Sequence, residues 1–188
     1  MIYDSRIMAS AFSHALAAIA LGQVYTARRM PWRFWALSAA CAILPDADVV
    51  GFAFGIGYGD LLGHRGLTHS LVFALATGLT VALLAFKDSR LFSGEWWSLA
   101  LYFAVVTASH GFFDAMTNGG LGVAFFAPFD QTRYFLPWRP IEVSPIGIAS
   151  FFSDWGLRVI MSEMVWVWLP SGLLITAVWL YRKLFAAK

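Results

Sequence analysis

Charge is what this chain has least of. Only 13% of its 188 residues are Asp, Glu, Lys or Arg, against 60% hydrophobic. A soluble domain of this length has no need of so much apolar material. The net charge of +2 is too small to point to nucleic acid. The single cysteine, Cys41, excludes an intrachain disulfide and any Cys-based metal motif, and in its apolar run it reads as a small packed residue. There is no His-Glu-x-x-His signature and no Gly-x-Ser-x-Gly elbow. Ser13, Ser70 and Ser109 each adjoin a histidine, but neighbours on a helix point apart, which disfavours a serine hydrolase. Repeats and low-complexity tracts are absent. Met1 to Met8 is polar and no small-residue cleavage site follows a short apolar core, so no cleavable signal is expected.

What is present is a set of five apolar segments, roughly 9–27, 34–54 (interrupted by Pro45), 67–86, 96–116 and 159–181. Residues 117–158 are too rich in Gly, Pro, Phe and Trp for a span. They read as a long loop, with a short interfacial helix near Pro145 to Trp155. The expectation is an all-α, polytopic membrane protein of about five transmembrane helices in one domain, 1–188, with a long extracytoplasmic loop. Basic residues assign the sides. Arg28, Arg29 and Arg33, then Lys87 and Arg90, then Arg182, Lys183 and Lys188 fall in alternate connections, which the positive-inside rule makes cytoplasmic. Trp and Tyr, at nine and six, fit interfacial belts and helix packing.

All four histidines lie near the ends of these segments, in acidic company. A helix rises about 1.5 Å per residue, which puts His14 about 21 Å from Arg28 and Asp46 about 20 Å from Arg33. On the same scale His69 is about 27 Å from Lys87, and His110 about 22 Å from Glu95. In a hydrocarbon core about 30 Å thick, four segments thus deliver ionisable groups to one layer beneath the outer surface. Independent structural histidines have no reason to agree in depth, and ionisable groups at membrane depth mark function by default.

His with Asp in that number suits a zinc-type cation. His110 and Asp114, at i and i+4, share a helix face. Asp46 and Asp48 follow helix-breaking Pro45, where alternate carboxylates reach one ion or simply cap a solvated turn. In His64-Arg65-Gly66-Leu67-Thr68-His69-Ser70, Thr68 is the expected N-cap, with His69 in the first turn. Arg65 at that mouth either holds an anionic group or snorkels. Asp130, Arg133, Arg139 and Glu142 line an entrance or belong to a solvated loop.

Ser13-His14, Leu44-Pro45-Asp46-Ala47-Asp48, the His64 to Ser70 string and His110-Gly-Phe-Phe-Asp114-Ala-Met-Thr117 resemble the YdjM-like family of LexA-regulated, membrane-bound metal-dependent hydrolases. The His-Arg-Gly-x-Thr-His-Ser string is the most specific part. A more distant similarity is to the all-helical zinc phospholipase C and P1-nuclease group, whose ligand order is an early His, an Asp, a His, then His-x-x-x-Asp. That group's later His and Glu ligands have no counterpart, because no histidine follows His110. The resemblances imply a metal-dependent hydrolase of the bacterial cytoplasmic membrane; the basic connections and the depths above put a multi-pass chain's active site near the extracytoplasmic face. The metal ligands would be His14, Asp48, His64, His69, His110 and Asp114, holding one or two Zn2+ ions, with Mn2+ or another divalent ion as substitute. Asp46 would be ligand or general base, and Arg65 would stabilise transition-state charge. The implied chemistry is hydrolysis of an ester or phosphoester in a lipid or lipid-linked substrate. The competing readings are a metal transporter or sensor, and a structural bundle whose His–Asp pairs join helices.

Overall fold

The computed structural model describes residues 7–8, 10–26, 28–145 and 153–185. Helix α1 spans Ala11–Tyr25, started by the Ser10 hydroxyl, which accepts from Ser13 N. Helix α2 spans Trp32–Ile43 and stops ahead of Pro45. Proline has no N–H to give the α ladder. The chain continues instead as a tighter 3-10 stretch, Leu44–Phe54, ended by Gly55 at φ 79°. A single 3-10 turn, Leu67–His69, leads into α3, Leu71–Ala85. Helix α4 runs over Gly94–Ala115 from a Ser93 cap.

No helix forms between α4 and residue 145; the chain there is held by the isolated bridges Thr117 to Ile141 and Val123 to Tyr134. Ser144–Pro145 pairs antiparallel with Ile7–Met8. Helix α5, Asp154–Glu163, passes through one π turn, Met164–Trp168, into α6, Leu169–Phe185. The π turn lies immediately before Pro170, where a regular α ladder would lose a donor and clash with the preceding turn. The expected interfacial helix falls largely on residues 146–152, outside the described residues. The expected cap at Thr68 is corrected: Ser70 caps α3, its hydroxyl accepting from Phe73 N. Thr68 stays in the preceding 3-10 turn because its hydroxyl is engaged elsewhere, as described below.

Trp32–Phe54 and Asp154–Phe185 are long and apolar enough to cross a membrane, at 23 and 32 residues, and Ala11–Tyr25 and Leu71–Ala85 are shorter apolar helices. Leu75, Leu83, Leu84, Leu101, Val105, Leu173 and Leu184 all face outward. Water penalises such an exterior and lipid accepts it, so this is a helical protein of membrane type. Helices α3 and α4 press together where Gly78 lies against Ala100 and Ala104, an approach that a Cβ at residue 78 would block. Around that contact Phe34, Cys41, Ala42, Trp96, Leu99, Phe103 and Val106 form a dry core. This core fills the half of the bundle where α1 ends and α4 begins. The polar groups occupy the other half.

Candidate metal centre

Five pieces of chain deliver the ionisable groups to one place. Helix α1 brings His14. The 3-10 stretch behind Pro45 brings Asp46 and Asp48. The following loop brings His64 and Arg65, the Leu67–His69 turn brings His69, and α4 brings His110 and Asp114. None of the eight is more than 9% exposed.

His110 Nε2 lies 3.1 Å from Asp46 Oδ1 and 3.1 Å from His69 Nε2. Asp114 Oδ2 is 3.3 Å from His69 Nε2 and 3.7 Å from His110 Nε2, the latter a product of the i, i+4 spacing. Asp46, His69, His110 and Asp114 each offer one atom within 4.8 Å of all the others. His14 stacks on His110 with ring centroids 3.8 Å apart, and its Nε2 stands 3.8 Å from Asp114 Oδ1.

A surrounding set of groups aims these side chains. His110 Nδ1 meets the Ala42 carbonyl at 2.7 Å. A carbonyl only accepts, so Nδ1 carries a proton and Nε2 is the ring nitrogen turned inward. His69 Nδ1 approaches Asp48 Oδ2 at 3.2 Å, which orients its Nε2 in the same way. Asp48 also takes His64 Nδ1 at 2.7 Å, the Thr68 hydroxyl at 2.6 Å and the Arg65 backbone N–H at 3.2 Å. Both its oxygens are occupied. Asp48, His64 and His69 form a second potential ligand group, joined to the first through the two faces of the His69 ring.

The residues fit a divalent cation. His69 Nε2 and His110 Nε2 lie 3.1 Å apart, close enough to share one proton or to ligate one cation. His14 Nε2, Asp46 Oδ2 and both Asp114 oxygens are buried without a hydrogen-bond partner, and such groups are costly unless something binds them. Charge points the same way. Three buried carboxylates face one guanidinium, Arg65. Histidines that ligate a metal are neutral, and three carboxylates against one guanidinium would then leave two negative charges for one divalent ion.

Arg65 is placed differently from expectation. It lies at no open mouth; it is fully buried, with its backbone at φ 62°. Its Nε pairs in charge with Asp114 Oδ2 at 3.0 Å, off the line of a hydrogen bond, and its Nη1 donates to the Gly119 carbonyl at 3.0 Å. Gly120, at φ 86°, passes directly beneath the guanidinium, where a side chain would collide with Nη1. A left-handed non-glycine residue stores strain, which persists where the surroundings over-determine it. Arg65 Nη2 has no partner.

The segment after α4 closes over these groups. Arg133 donates to the carbonyls of His64, Tyr58 and Asp60 at 2.9, 3.0 and 3.2 Å. Ala124 N donates to the Arg65 carbonyl at 3.0 Å. Asp130 and Glu142 stay at the surface, where they accept from Thr132 N and Asn118, and Arg139 lies over the Phe135 ring. Sequence reasoning missed three groups. One is the Thr68 hydroxyl on Asp48. Another is Tyr58, whose hydroxyl has no hydrogen-bond partner and whose pKa burial pushes up, so it stays protonated. The third is Glu163, fully buried, which accepts from Ser10 N at 2.8 Å, from Ser13 Oγ at 2.7 Å and from Ser10 Oγ. Glu163 was legible, because it is an acid inside the fifth apolar segment and the membrane-depth rule applies to it as to the histidines.

Fold and polar cluster together define a helical membrane protein with a buried Asp/His group able to hold a metal ion. The YdjM inner membrane protein family matches residues 8–185, and the chain belongs to that family. It is 38% identical over 176 residues to "Inner membrane protein YbcI" of Escherichia coli (strain K12), covering 94% of this chain and 100% of that relative. No solved structure matches the chain.

Proposed function

We propose that this protein is a membrane-embedded, metal-dependent hydrolase that cleaves an ester or phosphoester bond of a lipid or lipid-linked substrate. The observation that carries the reading is the convergence of Asp46, His69, His110 and Asp114, with Asp46 Oδ2 and both Asp114 oxygens buried and without a hydrogen-bond partner. These four would hold the ion, zinc by its N/O donor set, with His14 beside them. A divalent ion held there supplies Lewis acidity for hydrolysis at neutral pH.

The chain's own groups have distinct parts. Asp48 and the Ala42 carbonyl fix the tautomers of His69 and His110. Asp46 presents an unpartnered Oδ2 that suits a general base. Arg65 offsets Asp114 and keeps Nη2 available for developing negative charge. In this reading the chain crosses the membrane five times, with α5, the π turn and α6 as the last span. The basic connections then lie in the cytoplasm, and the centre lies near the extracytoplasmic face under a long loop.

Complete burial of the centre favours a second reading, a non-catalytic metal-binding membrane protein. Transport is the weaker form of it, because the apolar core beneath the centre offers no polar path. The test is metal content of detergent-purified protein by mass spectrometry, wild type beside His110→Ala, followed by turnover on lipid ester and phosphoester panels. Zinc lost in the variant together with turnover supports the hydrolase. Bound zinc without turnover on any panel moves the protein to the second reading. No metal, even after zinc or manganese is supplied, sinks both.

A further inference from the structure

The opposite end of the bundle holds two adjoining cavities of different character. One is lined by Arg28 and Arg33 together with Asp88 and Glu95, and Arg33 is already paired with Asp88 at 3.1 Å. The other, about 350 Å³, is lined by Gln23, Thr26, Arg28, Arg29, Trp35 and Arg182 among others, with no acidic residue. Three guanidinium groups thus face one concave space. Among the described residues, none of the three has an ion-pair partner. Arg182 is pinned by a bond from its Nη2 to the Gln23 carbonyl, which joins the end of α6 to the last turn of α1. Arg28 and Arg29 are exposed, and Trp35 forms part of the wall.

We propose that this cavity binds the phosphate headgroup of an anionic phospholipid from the cytoplasmic leaflet. Guanidinium forks match phosphate oxygens in geometry and charge. Basic pockets between helices at the cytoplasmic side are where anionic headgroups bind, and a tryptophan wall belongs at that level of the bilayer. Ordinary positive-inside charge is spread along connections. Here it is gathered into a cavity that lacks the acids neutralising its neighbour. Lys87 and Arg90 supply a comparison, being a basic pair on the same face, both exposed and outside this cavity. The site is separate from the metal centre, and its place in the cytoplasmic leaflet rests on the topology proposed above.

The test is native mass spectrometry of the full-length protein in non-ionic detergent, titrated with phosphatidylglycerol and with phosphatidylcholine. Wild type is expected to retain phosphatidylglycerol in preference. Arg28→Gln/Arg29→Gln changes two exposed side chains that carry no ion pair among the described residues, so its melting temperature should be unchanged. Its phosphatidylglycerol affinity should fall about tenfold or more, the weight of two arginines at an anionic surface. Lys87→Gln/Arg90→Gln should bind as wild type does. Equal loss in both double variants would mean diffuse surface charge and overturn the site. So would a wild type that does not distinguish the two lipids. Displacement of the lipid by millimolar inorganic phosphate would make this a free-anion site and overturn the lipid assignment.

Discussion

Helix α4 runs through two different interiors. In its first half Trp96, Leu99 and Phe103 meet Phe34, Ala82 and Phe86 in a packed apolar core. In its second half His110 and Asp114 meet four other ionisable side chains, His14, Asp46, Arg65 and His69, in a space equally shut off from solvent. In the apolar half the buried hydroxyls are hydrogen-bonded locally, Ser38 to Tyr102 at 2.8 Å and Thr107 to the Phe103 carbonyl at 2.8 Å. The polar half carries excess negative charge and open acceptors. Packing alone stabilises the first, whereas the second needs a cation to balance it. One end of the helix is therefore a foundation and the other a receptor.

Asp114→Ala should break the polar half most severely. It leaves Arg65 buried and unpaired, a loss of about 3–5 kcal/mol for a broken buried ion pair. It should remove bound metal and lower the melting temperature of detergent-purified protein. If melting is unchanged, Arg65 has another partner. Phe103→Ala attacks the apolar half and should cost about 3 kcal/mol by opening a cavity. Its metal content per folded chain should stay that of wild type, and a variant that also lost metal would show that the two halves are one unit. Thr68→Val is the mildest. It deletes the hydroxyl's bonds to Asp48 and to His69 Nδ1, and groups that support metal-bound histidines are worth about tenfold in affinity. A zinc titration should show that loss with little change in melting.

The same division governs what could be read without coordinates. Agreement in depth among His14, Asp46, His69 and His110 is a one-dimensional property, set by helical rise and bilayer thickness, so it is visible in residue spacing. Which oxygen faces which nitrogen is not. Asp46 and Asp48 look alike in Leu-Pro-Asp-Ala-Asp, and only the 3-10 path after Pro45 turns one towards His110 and the other towards His64 and Thr68. Arg65 resembles a surface cation until the chain after α4 returns to lay Gly119 and Gly120 over it. That return is a long-range event with no local pattern. The long last helix, by contrast, carries its own explanation in Pro170 and the π turn before it.

Glu163 joins residues that are synthesised far apart, since its bond to Ser10 N spans 153 positions. Asp46, His69, His110 and Asp114 have all left the ribosome well before it. Chains fold from the N-terminus as they emerge, and contacts with the largest loops to close form last. The carboxylate that secures the start of α1, one turn from His14, is therefore the late latch of the assembly. The basin for the ion comes first in time, and the last helix then locks the first helix against it.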